Sequence, residues 1–265
     1  MAIITLMTDF GIKDGNVGVM KGVMLGICDS AKIVDLSHSI SPQNIREAAF
    51  VLEKSWGYFP AGTIHVIVVD PGVGTGRRPI AALIDGHYFI CPDNGVLTMV
   101  YDRADRTKTH IEIIELNQKR YWLPVVSHVF HGRDIFSPSA AHLANGVKLQ
   151  QLGSVITDPQ RIDFPNPVTT QTGWKGEVVH IDHFGNIATN LREEELIDSS
   201  NHRILIKLND NEINGLVKTF GDRPPGELIA LFGSTGNLIV SEVNGNAAMR
   251  LGTRIGDVVE VKKLD

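Results

Sequence analysis

The chain has only two cysteines in 265 residues, Cys28 and Cys91. Two isolated thiols cannot build the disulfide framework of a small secreted domain, and without a C-x-x-C pair they do not form a thiolate zinc site or a dithiol redox centre. Long apolar runs are also missing. No stretch approaches the ~18 residues that would span a bilayer, and the opening Met1 to Gly11 has neither the basic start nor the extended apolar run of a secretory signal. These absences point to a cytoplasmic protein without a membrane partner. There is no basic surplus either: 25 Lys plus Arg against 30 Asp plus Glu leave a net charge of −5, the wrong sign for a surface that binds nucleic acid through counterion release. A small-molecule partner is favoured. Internal repeats and low-complexity segments are absent, and so are G-x-x-x-x-G-K-[ST], G-x-G-x-x-G and H-E-x-x-H, which removes the simplest signatures of phosphate, dinucleotide and zinc binding.

What is present is a globular composition with 43 % hydrophobic residues, enough at this length to bury roughly three quarters of the unfolded surface. Ile3 to Met7 reads as a strand that ends in the polar Thr8-Asp9-Phe10-Gly11. Val17, Met20, Val23, Met24 and Ile27 follow at helical spacing. Ile33 to Leu36 predicts a second strand and Ile45 to Leu52 a helix. Thr63 to Val69 is a continuous apolar run that stops at Asp70, the pattern of a parallel strand covered on both faces. Pro79 to Ile84 and His87 to Cys91 flank Asp85-Gly86, which predicts an antiparallel hairpin. Beyond Pro167 short β-branched runs separated by Gly, Pro and Asn predict a small barrel or sandwich. The expected organisation is an α/β domain over residues 1–165 with a mainly parallel central sheet, an extended Phe164-Pro165-Asn166-Pro167 linker, and a β domain over residues 168–265.

Three loops lie where strands end, the place where open α/β sheets present ligands. In the first, Asp9 suits a ribose diol, which a fixed carboxylate grips with two hydrogen bonds; a helix cap or an Asx turn explains it equally. The second, Asp70-Pro71-Gly72-Val73-Gly74-Thr75-Gly76-Arg77, holds an acid and a guanidinium, with turn initiation and a solvated ion pair as the plainer alternatives. The third, Phe130-His131-Gly132-Arg133-Asp134, precedes the helical Ala140 to Ala144. Farther on, Asp182-His183-Phe184-Gly185-Asn186 combines a carboxylate, an aromatic ring and an amide. That set suits an adenine or amino-acid clamp, or simply a hairpin turn. Gly233-Ser234-Thr235-Gly236 reads as a turn or a close-approach backbone segment. A metal-dependent phosphoesterase using His128, His131, Asp134 and Asp182, and a non-catalytic nucleoside sensor, are classes these residues leave open.

Taken in order, TDFG with KGVM, FPAGTIHVIVVDPGVGTGRRPI, CPDNGVLT, FHGRDIFSPSAAHLA, IDHFGNIATN, and GSTGNL with NGNAA resemble, over essentially the whole chain, the S-adenosylmethionine hydroxide adenosyltransferase family. These S-adenosylmethionine hydrolases are related to fluorinase and chlorinase. The resemblance implies an N-terminal α/β domain, a C-terminal β-barrel-like domain, and a homotrimer with sites at subunit interfaces. It also implies a cofactor-free reaction in which water displaces L-methionine from C5′ of S-adenosyl-L-methionine to leave adenosine. It places the family's catalytic triad on Asp70, Arg77 and His131, the ribose-binding acid on Asp9, the acceptor of the methionine ammonium on Asp182, base contacts on Phe184 and Asn186, and a substrate-contacting serine on Ser234. The halogenating relatives carry Tyr where Asp70 stands, and the fluorinase carries Ser and Arg where Gly132 and Thr235 stand. Within that frame His131 is the expected base, with Arg77 supplying positive potential and Asp70 orienting Arg77 and the water.

Overall fold

Alternating residues of the central strands send their side chains into two separate cores. A computed structural model of the chain, describing residues 2–196 and 203–264, divides between Ile162 and Asp163 into two compact units. In the first, β1 (Ile3–Thr8), β2 (Lys32–Ser37), β3 (Ile64–Val68), β4 (Pro79–Ile84), β5 (His87–Pro92), β6 (Ile111–Glu115) and β7 (Ser154–Val155) form one sheet in the order β2-β1-β3-β5-β4-β6-β7. The first four in that order run parallel and the last three are added antiparallel. Leu6 and Val66 pack with α1 (Asn16–Ile27) and α4 (Ser137–Ala144) on one face. Met7 and Ile67 pack with α2 (Ile45–Ser55) and α3 (Thr98–Thr107) on the other. All five residues of β3 are buried, as a two-faced apolar run requires.

The Asp85-Gly86 hairpin forms as its sequence predicts, with both residues left-handed at φ 49° and 75°. Sequence periodicity does not reveal α3. Its buried stripe is Thr98, Val100, Tyr101 and Ala104, of which only three are apolar, among charged neighbours. The helix expected from Ala140 starts earlier: α4 begins at Ser137 and is preceded by a π-helical turn over Gly132–Phe136. A polar pair sits within the second core. His65 on β3 is wholly buried, with Nδ1 2.8 Å from Thr5 Oγ1 and Nε2 3.2 Å from His87 Nδ1.

The second unit is entirely antiparallel. β8 (Val168–Thr170), β9 (Gly173–Ile181), β10 (Ile187–Arg192), β11 (Arg203–Leu208), β12 (Asn211–Asn214), β13 (Leu228–Phe232), β14 (Asn237–Glu242) and β15 (Val258–Leu264) follow the order β12-β11-β15-β9-β10-β14-β13, with β8 on β9. The outer strands β12 and β13 approach each other, so the sheet is a nearly closed barrel. Trp174, Val178, Leu191, Ile206 and Val240 fill it.

Candidate active site

β3 ends just before Asp70, β4 begins just after Arg77, and His131 directly precedes the π turn, so three separate elements deliver the three side chains. They meet. Arg77 Nε donates to Asp70 Oδ1 at 2.9 Å, Arg77 Nη2 donates to Asp70 Oδ2, and the same Nη2 donates to His131 Nδ1 at 2.9 Å. The Arg77 and Asp70 side chains are only 9 % and 5 % exposed, and the guanidinium carbon lies 5.2 Å from the centre of the Phe136 ring. Burial lowers the His131 pKa below its ordinary value. The neighbouring Arg77 charge adds to the shift, and Asp70 opposes it.

An arginine can only donate, so the Nδ1 lone pair is occupied and neutral His131 carries its proton on Nε2. In this geometry His131 presents Nε2–H as a donor, and the lone pair that stays open belongs to Asp70 Oδ1.

Asp9, Gln43, Asp70, Phe130, His131 and Gly132 line a cavity of about 300 Å³. Asp9 does not cap its own helix: α1 starts after Gly15 without a side-chain cap, and Asp9 Oδ2 accepts from Gln43 N at 2.8 Å. Gln43 is left-handed, with φ 65°, a conformation that costs a non-glycine residue roughly 1 kcal/mol and recurs at ligand sites. Sequence reading missed Gln43 and gave no part to Phe130 and Phe136, although both lie in the FHGRDIF segment. Gln43 belongs to no charged or glycine-rich motif, and only the fold brings these three to the cavity or behind Arg77. The glycine loop is a turn and no phosphate cradle: Val73 N and Thr75 N donate inward to Asp70 O and Gly72 O. A Cβ on Gly74 would stand 2.2 Å from the His128 carbonyl oxygen.

In the second unit, the segment read as a clamp is the β9–β10 turn. Asp182 Oδ1 accepts from Phe184 N and Asn186 N at 2.9 Å, and Oδ2 accepts from Asn186 Nδ2 at 2.8 Å. The turn backs onto the Asn244 to Ala248 segment through Ala248 N to Gly185 O at 3.0 Å, and the Phe184 side chain projects outward at 71 % exposure. Asp182, Phe184 and Asn186 therefore share one turn. Ser234 does not join them. Pairing of Ile187 with Val240 and Arg192 with Asn237 sets the β13–β14 turn at the opposite end of β10, roughly 17 Å away at about 3.3 Å per residue.

Of the residues a phosphoesterase would use, Asp134 is already committed. Asp134 is wholly buried and accepts from Arg133 Nε at 2.6 Å and Ser127 N at 2.8 Å. Among the described residues no group of three or more His, Cys, Asp or Glu is placed to hold a metal.

Comparison with known proteins places the chain in a family. Residues 4–153 match the SAM hydroxide adenosyltransferase N-terminal domain and residues 176–260 match the C-terminal domain of the same name. The chain is 34 % identical to the (R)-S-adenosyl-L-methionine hydrolase of Salinispora tropica over 97 % of both proteins. It is 31 % identical to the fluorinase of an Actinoplanes species over 73 % of both. The crystal structure of an uncharacterized conserved protein from Thermotoga maritima superposes with a TM-score of 0.91 at 35 % identity, covering 98 % of this chain and 99 % of that one. The chain is a member of the SAM hydroxide adenosyltransferase family.

Proposed function

We propose that the protein hydrolyses S-adenosyl-L-methionine, with water attacking C5′ and L-methionine leaving to give adenosine. The carrying observation is the continuous Asp70–Arg77–His131 chain on the wall of a cavity that also holds Asp9. A sulfonium leaves as a neutral thioether, so the leaving group needs no acid and no cofactor, and activation falls on the water. Asp70 Oδ2 accepts two Arg77 donors, whereas Oδ1 accepts one and keeps a further lone pair, so Oδ1 takes the water's proton. His131 Nε2–H and the Arg77 charge stabilise the hydroxide character that develops on the oxygen. A positioned base of this kind contributes about 10²–10⁴-fold, provided the oxygen lies opposite sulfur at about 3–3.5 Å from C5′.

Asp9 grips the ribose diol, Phe184 and Asn186 meet the base, and Asp182 offers its remaining lone pair, on Oδ2, to the methionine ammonium. Ser234 contacts a different part of the substrate from the Asp182 turn, since β10 separates them. The assembly we propose is a homotrimer in which the first unit of one subunit faces the second unit of the next. The exposed Phe184 ring supports this reading, because a base-stacking aromatic that projects into solvent needs an apposed surface. The protein acts in the cytoplasm, a reading supported by two free, buried cysteines and by the lack, among described residues, of any helix long and apolar enough to cross a membrane.

The curated relatives are named for the R configuration at sulfur, so the test uses both sulfonium epimers in oxygen-labelled water, with chromatography and mass spectrometry of the nucleoside. Adenosine labelled at the 5′ oxygen, with methionine, is expected, and the R epimer is turned over faster. Methylthioadenosine as the only product, or a dependence on halide, would overturn the reading. Mixing inactive Asp70→Asn and Asp182→Asn proteins tests the shared site, because subunit exchange regenerates some intact interfaces.

A further inference from the structure

Asp9 lies beyond the last regular pairing of its strand. The β1–β2 ladder slips between Leu6 and Met7, passing from Leu6–Asp35 to Met7–Ser37, while the β1–β3 ladder stays regular as far as Thr8–Val68. Beyond Thr8 the tip is held by the segment following β2. Gly11 N donates to His38 O at 2.8 Å, Gln43 N donates to Asp9 Oδ2 at 2.8 Å, and Thr8 Oγ1 is 2.9 Å from His38 Nδ1.

The direction of the Thr8–His38 bond follows from its neighbours. Thr8 Oγ1 accepts from Phe10 N–H at 3.2 Å, and the Asp35 carboxylate beside His38 Nε2 favours the imidazole proton on that nitrogen, which makes the Thr8 hydroxyl the donor to Nδ1. His38 Nε2 lies 3.0 Å from Asp35 Oδ1, too far off the N–H line for a good hydrogen bond. The other Asp35 oxygen takes Lys21 Nζ from α1 at 2.6 Å. Thr8, His38 and Asp35 follow the order of a nucleophile triad, yet Thr8 is wholly buried and its oxygen already accepts from backbone. The geometry fits an anchor and gives no access for an attacking group. The chain terminates on the N–H of the residue next to Asp9.

We infer that Thr8 and His38, backed by Asp35, are positioning residues that aim the Asp9 carboxylate at the two hydroxyls of a ribose diol. The inference rests on the nucleoside reading of the cavity. If the chain only held the fold, its loss would weaken every ligand alike. If it aims Asp9, its loss weakens only ligands that carry the diol.

The test is calorimetric titration of adenosine and of 2′,3′-dideoxyadenosine into wild type, His38→Ala, Thr8→Val, the double variant and His38→Asn, with circular dichroism confirming the fold. Asparagine places an oxygen where His38 Nδ1 stands. Glutamine, which places its polar end at Nε2, replaces Ala if His38→Ala does not fold. His38→Ala and Thr8→Val are expected to lose about tenfold in adenosine affinity, the worth of one hydrogen bond, with dideoxyadenosine binding unchanged. The double variant should be no weaker than either single one, and His38→Asn should recover most of the loss. Equal losses for both nucleosides, or unchanged adenosine affinity in a folded variant lacking Nδ1, overturn the inference while leaving the function intact. A wild type that binds neither nucleoside overturns the nucleoside reading and the inference together.

Discussion

Acid should loosen the first unit through one histidine. Burial holds the His65 pKa down to about 3, with the His87 ring adding to the shift, whereas an unfolded histidine titrates near 6.5. Between those values the unfolded chain binds a proton that the folded chain refuses, so stability falls as pH drops through this window and is fully present above it. At pH 5 the gap of 1.5 pH units from the unfolded value corresponds to about 2 kcal/mol. That is a large share of the 5–15 kcal/mol typical of a domain, and it shifts a urea midpoint by roughly 1 M. The assay is urea unfolding at pH 7.5, 6 and 5. Tryptophan fluorescence reports locally, because the Trp56 ring stands edge-on to His87 with centroids 5.0 Å apart. His65→Gln keeps a donor for His87 but cannot titrate. Its stability at pH 7.5 is expected to fall, since Thr5 Oγ1 loses its fixed partner. Its decline from pH 7.5 to 5 should nevertheless be shallower than that of wild type by about 2 kcal/mol. The slope is the test. Parallel pH curves for the two proteins would show that His65 is protonated without cost in the fold and would refute the reasoning.

Arg77→Lys keeps the charge but cannot hold Asp70 and His131 Nδ1 together, so kcat should fall about 10²-fold with KM little changed; steady-state kinetics giving near-normal kcat would remove Arg77 from the chemistry. Asp9→Ala should raise KM for S-adenosylmethionine and also lower kcat, because a loosely held ribose misaligns C5′; a change in neither parameter would leave Asp9 outside the site. Gly74→Ala combines a φ of 76° with a Cβ 2.2 Å from a carbonyl oxygen, and thermal unfolding should show a loss of about 2 kcal/mol or more.

Most strands were legible in the sequence because their signals are local. Thr63 to Val69 reads as a two-faced parallel strand from apolarity alone, and the Asp85-Gly86 hairpin reads from the left-handed preferences of its two residues. α3 was hidden because Asp102, Arg103, Asp105 and Arg106 interrupt a stripe that only burial reveals. Within the candidate site, Asp9, Asp70, Arg77 and His131 could be named because each is a charged or titratable residue at a strand end or beside a glycine. Their division of labour could not be read, since the His131 tautomer is set by a guanidinium 54 positions away in sequence. The same holds for Gln43, whose part depends on a backbone torsion, and for His38, whose partner is a threonine on a neighbouring strand.

Gly132 ties the floor of the cavity to the packing behind it. A Cβ there would come within 3.2 Å of Met20 Sδ and Val68 Cγ1 and 3.4 Å of a Phe130 ring carbon, so a larger residue requires these neighbours to give way by a few tenths of an ångström. Met20, with its thioether at the flexible end of the side chain, yields most readily. A smaller residue at position 20 would relieve the crowding, so substitutions at 132 and 20 should be coupled in stability even where only one of the two faces the cavity.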